Sequence, residues 1–409
     1  MESSHRYSQV IEVRGHIIDS MILPKILDEI IGLGADFEIL RLEVGKRNSD
    51  PSYAQIEVSA SSEQLLQSAL REAQIHGAVP LREAEASLEP APADGVFPLD
   101  FYSTTNLETW IYLDGQWKPV AHPEMDCGIL VENGRARTIP LNEVRKGQML
   151  VVGRRGIRVI PLERSRAPSP IFGFMGSAVS SEKPKSVIIN EVGSWMRSAR
   201  QRGGKILVVA GPAVVHTGSR DHLSRLIEMG YVNYLFAGNA LATHDIEASL
   251  FGTSLGVPLA GGQPLESGHE HHLRAINRIR AEGGIKQAVQ NGVLTKGIMY
   301  SCVQYGVDFV LAGSIRDDGP LPDVITDVLQ AQAAMRSRIQ QGVEVALMMS
   351  TMLHSIAVGN MLPASVLTAC VDVNPATLTK LVDRGSFQSV GLVMDVGGFL
   401  RELIDVLSA

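Results

Sequence analysis

Between Lys205 and Val396 the chain alternates short, continuously apolar runs with segments of helix length, and each run ends in a turn of small and polar residues. A parallel sheet that is covered by helices on both faces requires such runs, because every strand side chain in it is buried. The pattern therefore predicts a doubly wound α/β domain. The runs with their turns are KILVVAGPAVVHTG, VNYLFAGNALATHD, VDFVLAGSIRDDGP, VEVALMMSTMLHS with its sequel LTACVDVNPATLTKL, and VGLVMDVGGF.

Residues 8 to 80 follow a different order, in which strand-like and helix-like patterns succeed one another as β-α-β-β-α-β. This order predicts a ferredoxin-like α+β sandwich. Asp19-Ser20 and Ser61-Ser62 are the predicted N-terminal caps of its two helices, since short polar side chains accept hydrogen bonds from a first helical turn. The first helix is predicted to bury one apolar face, formed by Ile22, Ile26, Ile30 and Leu33.

A third pattern of short strands with hairpin signals occupies residues 97 to 162, where YLDGQW and VENGRAR carry the Asp-Gly and Asn-Gly pairs that tight turns favour. It predicts a small β-rich insert. The segment from Arg164 to Pro184 is rich in Pro, Ser and Gly and is predicted to be a linker or a covering loop. We therefore divide the chain into a ferredoxin-like domain (1–95), a β-rich insert with linker (96–184) and a Rossmann-like α/β domain (185–409).

Charge and cysteine content narrow the classes of function. The 409 residues carry a formal net charge of −7, which disfavours a nucleic-acid or anionic-membrane surface and leaves small-molecule chemistry as the expectation. The three cysteines, Cys127, Cys302 and Cys370, are too far apart in the sequence for a CxxC metal site or a disulfide framework. A reducing cytoplasm is the expected compartment, and no run of eighteen apolar residues suggests a membrane span.

Polar and small residues concentrate where the predicted parallel strands end, which is where doubly wound sheets bind ligands. We predict a nucleotide site there. Its candidate residues are Asn239, Ala240, Asp317, Thr351, Met352, Leu353, His354, Asp372 and Asp395. The acids are placed to bind ribose hydroxyls, although Asp372 and Asp395, like Asn239, could instead cap helices and Asp317 could lie in a solvated loop. His354 could equally be a structural residue. The first turn, AGPAVVHTGSRDH, lacks the GxGxxG spacing of the ordinary dinucleotide motif.

The sequence also contains candidate residues for a metal site and for acid–base or imine catalysis. The tract GHEHH, residues 268–272, suggests a metal, but only His269 and His272 would share a helix face, so we expect a solvated helix start and no metal. For acid–base or imine chemistry we select Lys296, beside an apolar stretch that could lower its pKa by desolvation, although a surface lysine at a turn is the alternative reading. Asp245, or Asp126 beside Cys127, could orient a substrate amine. Cys127 has no base nearby in the sequence and is expected to be a buried structural thiol.

With these motifs in view, the chain resembles the archaeal-type ornithine cyclodeaminases, the LOR/SDH family. It is also similar to the C-terminal part of bifunctional arginine dihydrolase/ornithine cyclodeaminases. The resemblance covers nearly the whole chain. It is carried by EMDCGILVENGRARTIP, AGNALATHDIE, AGSIRDDGPLPDV, TMLHSIAVGNMLP and VMDVGGFL.

The resemblance implies a bound NAD and the conversion of L-ornithine to L-proline and ammonia. It points to the strand-end residues above, together with Val396, as dinucleotide contacts. The implied chemistry moves a hydride from the α-carbon of ornithine to the cofactor and returns it to a cyclic imine, so the cofactor is regenerated in each turnover. Acids at the ribose positions favour NAD over NADP, since a 2′-phosphate would be repelled.

Two readings of other kinds stay open at this point. One is an NAD-dependent transferase or dehydrogenase acting on another diamine or amino acid, either lysine and saccharopine or in the manner of deoxyhypusine synthase. The other is a non-catalytic sensor of NAD and an amino acid. For the ornithine cyclodeaminase reading we expect a small-molecule amino-acid substrate and a homo-oligomer, whereas the deoxyhypusine-synthase-like reading would act on a protein lysine.

Overall fold

The structure is a computed structural model. It describes residues 7–18, 20–46, 50–80, 85–160, 185–258, 268–317, 319–378 and 389–409. Asp19, Asp318 and the predicted linker from Arg164 to Pro184 lie outside the described residues. The chain separates into two compact units, Met1–Met175 and Gly176–Ala409.

The first part of unit 1 is a four-stranded antiparallel sheet with two helices packed on one face. Its strand order is β2-β3-β1-β4, which is the order of a ferredoxin-like sandwich, as predicted. The elements are β1 (Tyr7–Gly15), α1 (Ile22–Gly32), β2 (Asp36–Glu43), β3 (Ser52–Ala60), α2 (Glu63–Ile75) and β4 (Val79–Pro80).

The helix ends of this sandwich differ in part from the prediction. Ser62 caps α2 by accepting a hydrogen bond from the Leu65 N–H, as predicted. The N-cap of α1 is Met21 in a left-handed conformation, not Ser20, so that prediction was wrong. Leu33 is exposed because the helix ends one residue earlier.

The rest of unit 1 is the predicted β-rich part, a seven-stranded sheet of order β11-β6-β7-β9-β8-β10-β5. Both residues of its two tightest turns have positive φ, Asp114-Gly115 and Asn133-Gly134, as two-residue hairpins of this kind require. Its strands are β5 (Ser87–Pro90), β6 (Glu108–Leu113), β7 (Gln116–Ala121), β8 (Gly128–Glu132), β9 (Arg135–Ile139), β10 (Met149–Val152) and β11 (Ile157–Ile160).

Unit 2 is an α/β domain around a parallel sheet, and every described residue of the central strand β12 except its first is fully buried. Its strands are β12 (Lys205–Ala210), β13 (Tyr234–Gly238), β14 (Thr253–Ser254), β15 (Val257–Pro258), β16 (Asp308–Ala312), β17 (Val324–Ile325), β18 (Val343–Met349), β19 (Leu367–Asp372) and β20 (Ser389–Val393). Its helices are α3 (Lys185–Arg202), α4 (Ala213–His216), α5 (Arg220–Glu228), α6 (Asn239–Phe251), α7 (His271–Glu282), α8 (Ile285–Gln290), α9 (Ile298–Tyr305), α10 (Val328–Ile339), α11 (Met352–Met361) and α12 (Val396–Ser408).

Seven strands form the main sheet in the order β17-β16-β13-β12-β18-β19-β20, and each neighbouring pair is parallel. Separate apolar cores cover its two faces, which confirms the doubly wound prediction. From β12 the chain builds outward through β13 and β16 and then returns to the other side of β12 with β18. The strand order therefore reverses between β12 and β18, and ligands bind outside the carboxyl ends of the strands at such a point.

Within the part of the chain that the structure describes, no helix is long and apolar enough to cross a membrane.

Candidate nucleotide-binding and active site

The turns that follow β12 and β18 meet at the reversal point of the sheet. The Gly211 N–H donates to the Met349 carbonyl at 2.9 Å, and a Cβ atom on Gly211 would collide with the carbonyl oxygen of Ser350. Ser350 itself has a φ of 51°. A non-glycine residue in this left-handed region is unfavourable by roughly 1–2 kcal/mol, so packing around the two turns must hold it there.

The second strand end carries Asn239, which is buried at the start of α6. Its Oδ1 accepts hydrogen bonds from the Leu321 N–H at 3.1 Å and from the Thr243 hydroxyl at 3.3 Å. The side chain therefore ties the loop after β16 to the end of β13. Because Oδ1 is already used, a ligand would meet the Nδ2 group of Asn239 or the backbone at Ala240, which is only half buried.

Asp317 lies in the loop after β16. One of its carboxylate oxygens accepts from the Ser314 N–H at 2.8 Å, and the Ser314 hydroxyl accepts from the Arg316 N–H at 3.2 Å. These bonds close a compact polar turn at the strand end. The side chain of Ile315, in the same turn, is fully exposed.

The first turn of α11 presents apolar surface at the same edge of the sheet. Thr351 is the N-cap but its side chain makes no capping hydrogen bond, and Leu353 is 77% exposed. Met352 is also exposed. His354 lies over the end of β13, since its Cε1 atom is 3.1 Å from where a Cβ atom of Gly238 would be, and burial lowers the pKa of its imidazole.

Two more acids follow β19 and β20. Asp372 is buried, and one of its oxygens accepts from the Asn374 N–H at 2.8 Å. Asp395 is the N-cap of α12, where it accepts from the Gly398 N–H at 2.9 Å, and the next residue, Val396, is buried. The capping role considered for Asp395 is therefore present, and the second oxygen of each carboxylate is the one available to a ligand.

Asp245 is fully buried and bound from several sides. Its Oδ1 accepts from Arg220 Nε at 2.7 Å and from the Ile298 N–H at 2.9 Å, and its Oδ2 accepts from the Met299 N–H at 2.8 Å. Burial raises the pKa of the carboxyl, against the opposing effects of Arg220 and the two N–H groups. A carboxylate with these partners holds Arg220 and the start of α9, and the geometry gives no support to its orienting a substrate amine.

Lys296 has an exposed side chain, so the desolvation on which its selection rested is absent. Its carbonyl accepts a hydrogen bond from the Ser249 hydroxyl of α6 at 3.0 Å. Its role in acid–base chemistry stays a prediction. Cys127, by contrast, is a buried thiol, as predicted.

A group of histidines around a buried carboxylate was missed in the sequence. Glu247 is fully buried on α6 and contacts His244 Nδ1 at 2.8 Å. It also accepts from the Thr253 hydroxyl at 2.9 Å and from the Gly256 N–H at 3.0 Å. Burial alone would raise the pKa of Glu247, but the bonds from His244, Gly256 and Thr253 outweigh it and hold the pKa below its usual range.

Three further histidines lie around this pair. The rings of His216 and His244 are 4.7 Å apart, edge to face, and His216 Nδ1 contacts the Ser254 hydroxyl at 2.7 Å. His271 Nδ1 contacts the Thr253 hydroxyl at 2.8 Å, and the ring of His272 is 6.5 Å from that of His244. Part of the GHEHH tract thus belongs to this cluster rather than to a solvated helix start. The signals that could have found it are that tract and the His-x-x-Glu spacing on α6.

Among the described residues, no group of three or more His, Cys, Asp or Glu side chains has the geometry of a metal site.

A doubly wound sheet with acids, amides and helix N-termini along its carboxyl edge defines a Rossmann-like, nucleotide-binding protein, and the buried acid–base cluster beside that edge is typical of an enzyme. Three family models match in succession. They are the "LOR/SDH bifunctional enzyme conserved region" over residues 8–107, "Arginine dihydrolase ArgZ-like, C-terminal, first region" over 108–189 and "Arginine dihydrolase ArgZ-like, C-terminal, Rossmann fold" over 190–403. The chain belongs to this LOR/SDH and ArgZ-like family, which confirms the resemblance seen in the motifs.

Similar proteins that carry names include archaeal and cyanobacterial ones. A Methanopyrus kandleri protein named ornithine cyclodeaminase is 55% identical over 98% of this chain and 97% of its own length. The bifunctional arginine dihydrolase/ornithine cyclodeaminase AgrE of Nostoc sp. is 44% identical over 98% of this chain, which spans 58% of AgrE. The crystal structure of an AgrE ternary complex with ornithine and NAD+ matches 99% of this chain with a TM-score of 0.54 and 42% identity.

Proposed function

We propose that this protein is an NAD-dependent ornithine cyclodeaminase that converts L-ornithine to L-proline and ammonia. The proposal rests on 55% identity to a protein of that name, over 98% of this chain and 97% of that protein. The AgrE complex with ornithine and NAD+, which matches 99% of the chain, supports both the substrate and the cofactor.

The carboxyl edge of the main sheet fits a dinucleotide chemically. Asp317, Asp372 and Asp395 each use one oxygen in a turn or cap, so the other can accept a hydrogen bond from a ribose hydroxyl. The N-termini of α6, α11 and α12 point their N–H groups to this edge, where they favour a pyrophosphate. The same negative charges disfavour the extra phosphate of NADP.

Apolar side chains at the edge are suited to the flat rings of the cofactor. Leu353 is exposed in the first turn of α11, and Val373 is exposed directly after β19. We propose Asn239, Ala240, Thr351, Met352, His354 and Val396 as the remaining contacts. When bound, the nucleotide supplies a reversible hydride acceptor, which is why a reaction without net oxidation needs it.

The reaction also demands a neutral amine as nucleophile and a site from which water is excluded. Of the two groups first selected for proton transfer, Asp245 is engaged by Arg220 and by α9. The side chain of Lys296 is exposed, whereas the reaction needs a group that is shielded from water. We therefore look for the proton acceptor among the buried histidines beside the edge.

We further propose that the protein acts as a homo-oligomer in a reducing cytoplasm. The three cysteines are buried thiols that form no disulfide, which supports the reducing compartment. The edge strand β2 exposes Ile39, Leu40 and Leu42, which supports association through unit 1. The molecular mass in solution tests the oligomer.

The function is tested by incubating the purified protein with L-ornithine and catalytic NAD. We expect proline and ammonia in equal amounts with no net accumulation of NADH, because the hydride is returned in every turnover. A transferase or dehydrogenase would instead consume a second substrate or accumulate reduced cofactor, and a sensor would form neither product. L-Lysine, tested alongside, serves as the control for the substrate side chain.

A further inference from the structure

The His244–Glu247 pair has the geometry of a carboxylate-oriented imidazole. Glu247 is fully buried and contacts Nδ1 of His244 at 2.8 Å. Since Nδ1 donates its proton to the carboxylate in this arrangement, Nε2 is the ring atom left to accept one. The other bonds to Glu247, from Thr253 and Gly256, fix the carboxylate in place.

The pair lies close to the edge of the sheet at which the nucleotide is proposed to bind. His244 is five residues beyond Asn239, the first residue of α6, which places it about 7.5 Å along the helix from the strand end. His216 ends α4, the short helix that follows the turn after β12. The two histidines therefore come from the helices that follow two neighbouring strands, β12 and β13, and their rings are in contact.

We propose that His244, oriented by Glu247, is the catalytic base that takes a proton from an ammonium group of the amino-acid substrate, and that His216, which is half-buried, then takes this proton from His244 and releases it to water. This assignment rests on the proposed function. In the step, an N–H bond of the substrate ammonium breaks and an Nε2–H bond forms on His244. The electron pair stays on the substrate nitrogen, which becomes the nucleophile, and the charge of the imidazolium is balanced by Glu247.

The surroundings of His244 suit this role. The titratable groups that face it are Glu247 on its own helix, His216 from α4 and His272 from α7. Burial and the neighbouring His244 lower the pKa of His216, so His216 releases a proton readily once it has received one. Asp245 and Arg220 form a separate ion pair toward α9.

The main test is His244→Asn, assayed for proline formation. We expect kcat to fall on the order of 10²-fold or more, as when a general base is lost, while binding of NAD and ornithine measured by calorimetry is kept. The residual rate should rise about tenfold per pH unit up to about pH 10. Without the base, only substrate whose side-chain amine has already lost its proton to water can react, and that fraction grows with pH up to the pKa of the amine, which is near that of lysine. The wild type should show a shallower rise.

Two further variants separate a catalytic from a structural role. In Glu247→Gln we expect a lower kcat, a KM close to that of the wild type and the same steeper pH profile, since Glu247 positions His244. In His244→Ala, added imidazole should restore part of the rate. The matched control is His222→Asn on α5, a half-buried histidine outside the cluster, which should leave kcat unchanged.

The outcomes decide between the two proposals. A wild type that forms proline and ammonia, with a His244→Asn variant within about threefold of it, would overturn the base assignment and leave the function standing. A wild type that forms neither product would overturn both. If His244→Asn does not fold, His216→Asn decides: a lowered kcat with a changed pH profile supports the relay, and an unchanged kcat refutes it.

Discussion

Asp245 of α6 and Arg220 of α5 form an ion pair between the two helices. The carboxylate is fully buried and the guanidinium nearly so. Gly297 makes room for it, since a Cβ atom there would collide with the Arg220 guanidinium. Removing one partner of a buried pair leaves the other charge without compensation, and that is more costly than removing both. Asp245 was selected as a catalytic group, whereas its contacts predict a structural one.

The two roles give different results in Asp245→Asn. We expect this variant to lose about 3–5 kcal/mol of unfolding free energy, measured by urea denaturation, because Arg220 is left charged and buried. The double variant Asp245→Leu/Arg220→Met should lose less. A catalytic role would be shown instead by Asp245→Asn with nearly wild-type stability and a kcat lowered on the order of 10²-fold or more.

At the scale of residues, the sequence predicted which side chains lie at the ends of strands, but not which other side chains they contact. Asn239, Asp372 and Asp395 could be placed at one edge because apolar runs mark where each strand ends. The cluster around Glu247 could not, because its members come from α4, α6 and α7 and meet only in the folded chain. Burial also depends on the folded chain, so the sequence could not show that Asp245 is buried and Lys296 exposed.

At the scale of elements, the reversal point depends on contact between two turns. The turn after β12 approaches the turn after β18 so closely that Gly211 has no room for a side chain. The hydrogen bond from the Ser350 N–H to the Val371 carbonyl, at 3.0 Å, extends this contact to β19. Three strand ends are thus held together at the proposed nucleotide site.

Gly211→Ala tests this arrangement. We expect a loss of about 1–3 kcal/mol of unfolding free energy from the steric clash with the backbone of Ser350, and weaker NAD binding by calorimetry because the turns move apart. Gly32→Ala is the control, since nothing lies within 4 Å of a Cβ atom at this position in α1. Equal NAD affinity in Gly211→Ala and the wild type would show that the contact does not shape the site.

Elements with local signals were the ones that could be predicted. The apolar runs correspond to β12, β13, β16, β18, β19 and β20, and the Asp-Gly and Asn-Gly pairs to two real hairpins. The two-residue strand β17 was missed because it is too short to show a pattern. The parallel pairing of β7 with β9 was also missed, since pairing between distant strands leaves no local pattern in the sequence.

At the scale of the whole molecule, the apolar cores divide along the chain. The cores on the two faces of the parallel sheet contain residues from Ile188 to Leu407, and the three smaller cores contain residues from Ile11 to Ile157. A segment that has its own core can fold alone. The domain boundaries drawn from the sequence, at 95/96 and 184/185, stay a prediction. The division of the cores supports the second of them but not the first, because Ala86 and Ala91 belong to the cores of the β-rich part.

The fragment 185–409 tests both the boundary and the nucleotide site. We expect it to unfold in one cooperative transition by circular dichroism, because its two cores lie within these residues. Its affinity for NAD should stay within about tenfold of that of the full chain, a difference of ~1.4 kcal/mol, since all the proposed contacts from Asn239 to Val396 are retained. The same fragment carrying Asp372→Leu and Asp395→Leu is the control and should bind more weakly. A folded fragment that does not bind NAD would contradict the prediction that residues 185–409 suffice for the site.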